Sequence, residues 1–409
     1  MNFLGKGMVK LFIGEKEYRQ RLEKIRETIA ERGLDAIYLS NHNRIFYLTG
    51  YHYTATRPQG CLVTPEGGLT IFIPKMEQQR LEERWPWLAE DLVVYFEYPV
   101  KNRPYELIDI IVRAFKERNL GDKNIGVDGP ALLSVPDFRA PSLQDGLTEA
   151  KLVYAGDIVD DMRIVKSDSE IALIEEAAKW CNLSHTLLHE YIKPGVSELQ
   201  VSSRASHEAT EIMLNALGPE YEPFGLMWTT TRARFKAGRR TAYPHGYLSN
   251  RKVREGDVIE TSGAARVGGY NNHIERTMIV GEPTEKQRRY FELMLKTQDA
   301  AFEAMKPGAK ASEVHMAVRK TIKEEGFDPD LLMQHRTGRA LGLDGYEPPT
   351  LVDGDDTVLL PNMVFHVEPA IYLPDCCYRH CDTVVVTQDG SRDLDYYPRD
   401  LEYLTIPVR

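Results

Sequence analysis

Between Asp257 and Val280 the chain concentrates side chains able to move protons or hold charge: Glu260, Ser262, His273, Glu275 and Thr277. Asp257–Ser262 and Tyr270–Val280 are β-favouring runs separated by the glycine-rich stretch Gly263–Gly269, so the segment reads as a hairpin. Side chains alternate along a strand, which puts Glu260 and Ser262 on one face of the first run and His273, Glu275 and Thr277 on one face of the second. Two carboxylates and an imidazole then converge on one side. The same alternation also describes the polar outer face of an antiparallel sheet. Upstream, His245 stands in Tyr243-Pro244-His245-Gly246. An imidazole with an ordinary pKa of about 6.5 exchanges protons near neutrality, although a histidine after a proline is usually a turn residue.

Three further segments follow in order: HRTGRALGLDGYEPP at His335–Pro349, PNMVFHVEPAIY at Pro361–Tyr372 and YRHCDTVVV at Tyr378–Val386. With YPHGYLSN and GGYNNHIERT in the first segment, their order over about 140 residues resembles the "pita-bread" superfamily of creatinase, aminopeptidase P and prolidase. The resemblance is nearest to the superfamily's metal-independent branch, which holds creatinase and ectoine hydrolase. It implies an α/β (α+β) chain: a smaller N-terminal creatinase-like α/β domain over 1–158, then a pita-bread catalytic domain over 159–409 with a curved antiparallel sheet covered by helices.

The metallopeptidases of that superfamily are expected to hold two ions with two Asp, one His and two Glu. Those positions are here Ser262, His273, Arg339, Glu368 and Cys381, so Glu368 alone is kept. A guanidinium has no lone pair to donate. Beside an ion it repels, at about 4 kcal/mol per unit-charge pair at about 4 Å and an effective dielectric of about 20. Glu260, His273, Glu368 and Cys381 remain an alternative single-ion set, because carboxylate, imidazole and thiolate all suit zinc.

The expectation taken from the resemblance is no metal and no cofactor. Glu275 and Glu368 match the pair that holds the substrate guanidinium in creatinase, and two close carboxylates need a cation to stay ionised together. Arg339 is then expected to anchor a substrate carboxylate. His245 is expected to act as general acid/base and Glu260 as nucleophile or second base. His273, His335, Tyr346, His380 and Cys381 are expected to line the pocket. The implied activity is metal-independent cleavage of a C–N bond in a small zwitterionic amidine or guanidine, ectoine- or creatine-like. Two alternatives stay open: an Xaa-Pro dipeptidase or aminopeptidase P-like metallopeptidase with altered ligands, and a catalytically silent binding module.

The elements that must position these residues are legible around them. Ser167 and Glu170 form a capping box at a helix start, and helices are expected over Glu198–Leu217, Thr284–Met305 and Ser312–Glu325 to cover one face of the C-terminal sheet. Ahead of them, Glu15–Gly33 has helical spacing, Asp35–Ser40 reads as a strand and Cys61–Pro74 as a hairpin. Tyr47 and Tyr51 read as core, or as residues facing a partner's site in a homodimer, which the resemblance implies. The 409 residues carry a formal charge of −10 without long single-sign runs, which argues against nucleic acid or an anionic membrane as partner. The first eleven residues make no convincing signal peptide, and no window has the roughly 18 apolar residues of a membrane span. Five cysteines, three of them crowded at Cys376, Cys377 and Cys381, make no disulfide framework, so a cytoplasmic location is expected.

Overall fold

The hairpin that carries the candidate residues forms, with a tighter turn than its glycines suggest. In the computed structural model, which describes residues 11–52, 59–96, 106–129, 142–223 and 230–408, strands Val258–Val267 and Tyr270–Val280 pair antiparallel. Only Gly268 and Gly269 make the turn, at φ 53° and 89°, values that favour glycine. Gly263 lies inside the strand. A Cβ there would come within 3.1 Å of the Cys181 carbonyl and the Ser184 hydroxyl, so this glycine lets the helix Asp168–Tyr191 sit close on the sheet. The register sets Ser262 opposite Glu275 and Glu260 opposite Thr277.

Thr231–Ala237 and Thr405–Ile406 complete a four-stranded sheet around this hairpin. A second sheet runs in the order Glu347–Leu351, Gly338–Ala340, Val364–Val367, Asp382–Val386, Ser391–Asp393. The two sheets are joined where Glu275 and Cys381 exchange both backbone hydrogen bonds, each 3.0 Å. Helices Asp168–Tyr191, Glu198–Leu217, Glu285–Ala304 and Ala311–Glu324 pack on the sheets. Leu187, Leu188, Phe291, Met294, Val314 and Val318 from three of these helices share one core with Ile274, Met278, Phe365, Val367 and Val384 from the strands. Strand alternation does the sorting. Burial of those side chains on the helix side leaves Glu260, Ser262, His273, Glu275, His366 and Glu368 on the other. The capping box of Ser167 and Glu170 starts the first helix, and the buried Lys166 beside it donates to Glu347 at 3.0 Å.

A separate compact unit spans Ile13–Arg163. Its six-stranded sheet runs Leu92–Tyr95, Leu69–Pro74, Gly60–Val63, Ala36–Leu39, Asn124–Val127, Lys151–Tyr154. Tyr18, Leu22, Ile25 and Ile29 form the buried stripe of the helix Glu15–Glu31, and Tyr47 and Tyr51 are buried. Arg44 pairs with Asp160 at 2.7 Å and the Tyr47 hydroxyl donates to the Met162 carbonyl at 2.8 Å, which keeps most of the helix Asp157–Ile164 with this unit. Residues 1–10, most of the stretch read for a signal peptide, lie outside the described residues. No helix among the described residues is long and apolar enough to cross a membrane.

On the helix side of the larger unit, Arg276 is fully buried and pairs with the buried Asp382 at 2.6 Å. It also donates to the carbonyls of Glu275 and Cys381, at 2.8 and 3.0 Å, at the seam between the sheets. Removing one partner of a buried pair leaves the other charge uncompensated. Asp382→Ala is therefore expected to lower the unfolding free energy in urea by about 3–5 kcal/mol; a loss below about 1 kcal/mol would contradict this role for the pair.

Candidate active site

Every acid of the candidate set is paired with a cation of the chain itself. Glu260 takes Lys236 on one oxygen at 2.8 Å and Arg379 on the other at 2.6 Å. The same guanidinium reaches Glu275 at 2.6 Å through Nε. Glu275 also accepts from the Cys381 thiol at 2.8 Å and faces His273 at 3.3 Å. Glu368 lies 3.2 Å from Arg336 and 3.6 Å from Arg339. All three carboxylates are buried. Burial alone would raise Glu275, but Arg379, followed by His273, holds it well below the usual carboxylate value. Burial, then Glu275, pushes the Cys381 thiol up.

This arrangement corrects the expected clamp, in which Glu275 and Glu368 await a positively charged substrate. Lys236, Arg336, Arg339 and Arg379 already supply the positive partners, and four cations against three carboxylates leave the pocket one positive charge in excess. Glu260, expected as nucleophile or second base, is held on both carboxylate oxygens by Lys236 and Arg379. The Arg336 Nε, the Arg339 Nε and Nη1, and the His335 Nε2 make no hydrogen bond among the described residues. Tyr346, mostly exposed, lays its ring over both guanidiniums, 4.0 Å from Arg339 and 5.1 Å from Arg336.

The imidazoles are kept neutral. His273 and His366 stack at 4.5 Å with 6° between their planes, and burial lowers both below the ordinary value. The His273 Nε2 lies 2.7 Å from the Ser262 hydroxyl. The His335 Nδ1 lies 2.7 Å from the Arg336 carbonyl oxygen, which can only accept, so the neutral ring carries its proton on Nδ1 and leaves Nε2 as an acceptor.

Two expected residues are placed elsewhere. His380 is fully buried with its ring edge-on to Phe291 of the helix Glu285–Ala304 at 5.2 Å, on the helix side of the sheet, because it alternates with Arg379 and Cys381. His245 is exposed beyond the short helix Gly238–Ala242. Lys236, Arg336, His366 and Arg379 were missed from the sequence. Alternation carries the signal for two of them: His366 shares a face with Glu368, and Arg379 shares one with Cys381. Nothing local marks Lys236, whose role depends on its register opposite Glu260.

The model of metallopeptidase family M24 matches residues 172–388, and that of the creatinase/prolidase N-terminal domain matches residues 21–165. An Xaa-Pro dipeptidase of Pyrococcus furiosus is 28% identical over 385 residues, covering 94% of this chain and 99% of that protein. A creatinase of a Bacillus species is 25% identical over 407 residues, covering 95% and 93%. The solved Xaa-Pro dipeptidase of Bacillus anthracis superposes with a TM-score of 0.78 at 25% identity, covering 96% of this chain and all of that one. The two-domain α/β pita-bread fold and the superfamily are thus those expected, and a hydrolase is supported. The expected substrate class is corrected: relatives named Xaa-Pro dipeptidases point to peptide chemistry rather than to creatine or ectoine. The expectation of metal independence is overturned as well, because the matching model describes metallopeptidases.

The two-ion, five-ligand arrangement does not fit this chain, since the Ser262 hydroxyl is engaged by His273 and Arg339 cannot ligate. Among the described residues, the alternative with Glu260 and His273 is not one of the groups whose donor atoms come within 4.8 Å of one another. Glu275, His366, Glu368 and Cys381 fit a single ion: all four are buried and each offers one donor atom within 4.8 Å of the others.

Burial, reinforced by Arg276, holds His185 and His380 well below the ordinary imidazole value. Below about pH 6.5 the unfolded chain therefore binds more protons than the folded one, and stability falls as pH drops. The unfolding free energy in urea is expected to decline between about pH 6.5 and 5, by about 1.4 kcal/mol per pH unit for each such histidine. A profile flat across that window would count against neutral, buried rings.

Proposed function

The chain belongs to metallopeptidase family M24, and from that premise we propose that it hydrolyses the amide bond of short peptides of the Xaa-Pro kind. The observation that carries the reading is near full-length similarity to proteins named Xaa-Pro dipeptidase. A cationic wall suited to a peptide's C-terminal carboxylate supports it: Arg336 and Arg339 offer N–H groups that make no hydrogen bond among the described residues. Tyr346 covers both guanidiniums and fixes their planes. Arg379 is committed to Glu260 and Glu275, whereas Arg336 and Arg339, which flank Glu368, keep N–H groups for substrate.

The His335 Nε2 accepts a hydrogen bond from the substrate's N–H or takes up the proton released during cleavage. Glu275, His366, Glu368 and Cys381 would hold a divalent ion, which would supply Lewis acidity at the scissile amide. His273, neutral and next to the ionised Glu275, receives a proton without leaving an unpaired charge, and its Ser262 contact fixes the ring. Lys236 and Arg379 hold Glu260 and Glu275 in place. We also propose a homodimer, on the resemblance to the superfamily.

The test is hydrolysis of Xaa-Pro dipeptides compared with Xaa-Ala dipeptides, creatine and ectoine. Turnover is expected with Xaa-Pro. Arg339→Gln is expected to raise KM about 10- to 100-fold, the loss of a charged hydrogen bond of about 1.5–3 kcal/mol. Absence of turnover on every peptide, or an Arg339→Gln enzyme with unchanged KM, would contradict the reading.

A further inference from the structure

Glu275, His366, Glu368 and Cys381 reach one point from separate segments: the strand Tyr270–Val280, the strand Val364–Val367 and the residue following it, and the bridge residue ahead of Asp382–Val386. The fold fixes two of them directly, through the paired backbone hydrogen bonds between Glu275 and Cys381. We infer that these four side chains bind a single borderline-soft divalent ion of the zinc type, with the Cys381 thiolate as a ligand. That differs from a two-ion site built on hard carboxylates. The inference takes the family's use of metal as its premise and does not depend on the Xaa-Pro substrate.

Both ring nitrogens of His366 make no hydrogen bond among the described residues, and the imidazole is completely buried. A buried polar atom left unpaired is costly, so an imidazole with both nitrogens orphaned beside two carboxylates points to a cation. The His366 Nε2 and Glu368 Oε2 stand 3.6 Å apart, near the ligand spacing of about 3.4 Å that tetrahedral bonds of about 2.0–2.1 Å require. The Cys381 Sγ is 2.8 Å from Glu275, a thiol hydrogen bond. On binding, the thiol proton leaves to solvent, the S–metal bond forms and the sulfur moves away from the carboxylate. Thiolate and imidazole select zinc or cobalt over magnesium, calcium or manganese. The thiolate also offsets part of the added charge in a pocket where cations already outnumber carboxylates.

The test is a titration of chelator-treated protein with Co²⁺, followed by absorbance and elemental analysis, which reads the site whether or not any peptide is cleaved. Saturation at one equivalent is expected, with a near-ultraviolet sulfur-to-cobalt band that Zn²⁺ displaces. Cys381→Ser should lose the band, while Ser262→Ala, at a position where the two-ion arrangement would need a ligand, should keep band and stoichiometry. Two equivalents, no binding, or one equivalent without the sulfur band would each overturn the inference. The unsubstituted protein decides those outcomes even if Cys381→Ser does not fold.

Discussion

Arg379 sits between Glu260 and Glu275, 2.6 Å from each, and the remainder of the site depends on that contact. Carboxylates on a buried surface stay ionised only where positive charge or hydrogen bonds replace water. The chain meets this demand internally, with Lys236 on the far side of Glu260 and Arg336 and Arg339 about Glu368. The pocket therefore presents anchored acids beside N–H groups of Arg336 and Arg339 that make no hydrogen bond among the described residues.

The backbone explains how such a network is assembled. Two sheets meet at Glu275 and Cys381, and strand alternation sends the apolar side chains of each strand under the helices. Arg276, on the helix side, ties the carbonyls of both seam residues to Asp382. One guanidinium thus braces the seam from the helix side, while another, Arg379, joins the acids on the opposite face. A shift of one residue in either strand would exchange the two sets.

Much of the fold was legible because its signals are local. The capping box at Ser167 and Glu170, the apolar spacing of Tyr18, Leu22, Ile25 and Ile29, and the alternation about Glu260 and Glu275 each report a nearby backbone state. The turn was read too long because Gly263 serves helix packing, a tertiary demand that looks like turn chemistry in sequence. At the site, departures from the two-ion pattern were visible at Ser262, His273, Arg339 and Cys381. The compensating Lys236 was not, since it reaches Glu260 only through strand register. His380 was assigned to the pocket from its motif although alternation with Cys381 places it under the sheet, where it meets Phe291.

A double-mutant cycle on Arg379 and Glu275, read as unfolding free energy in urea, tests the claim that the acids are neutralised from within. Arg379→Met alone is predicted to cost about 3–5 kcal/mol, because it strands the buried Glu275 and leaves Glu260 with Lys236 alone. Adding Glu275→Gln is predicted to recover about 1–3 kcal/mol of that loss, within the range of direct coupling between neighbours. Losses that add to within about 0.5 kcal/mol would contradict the account.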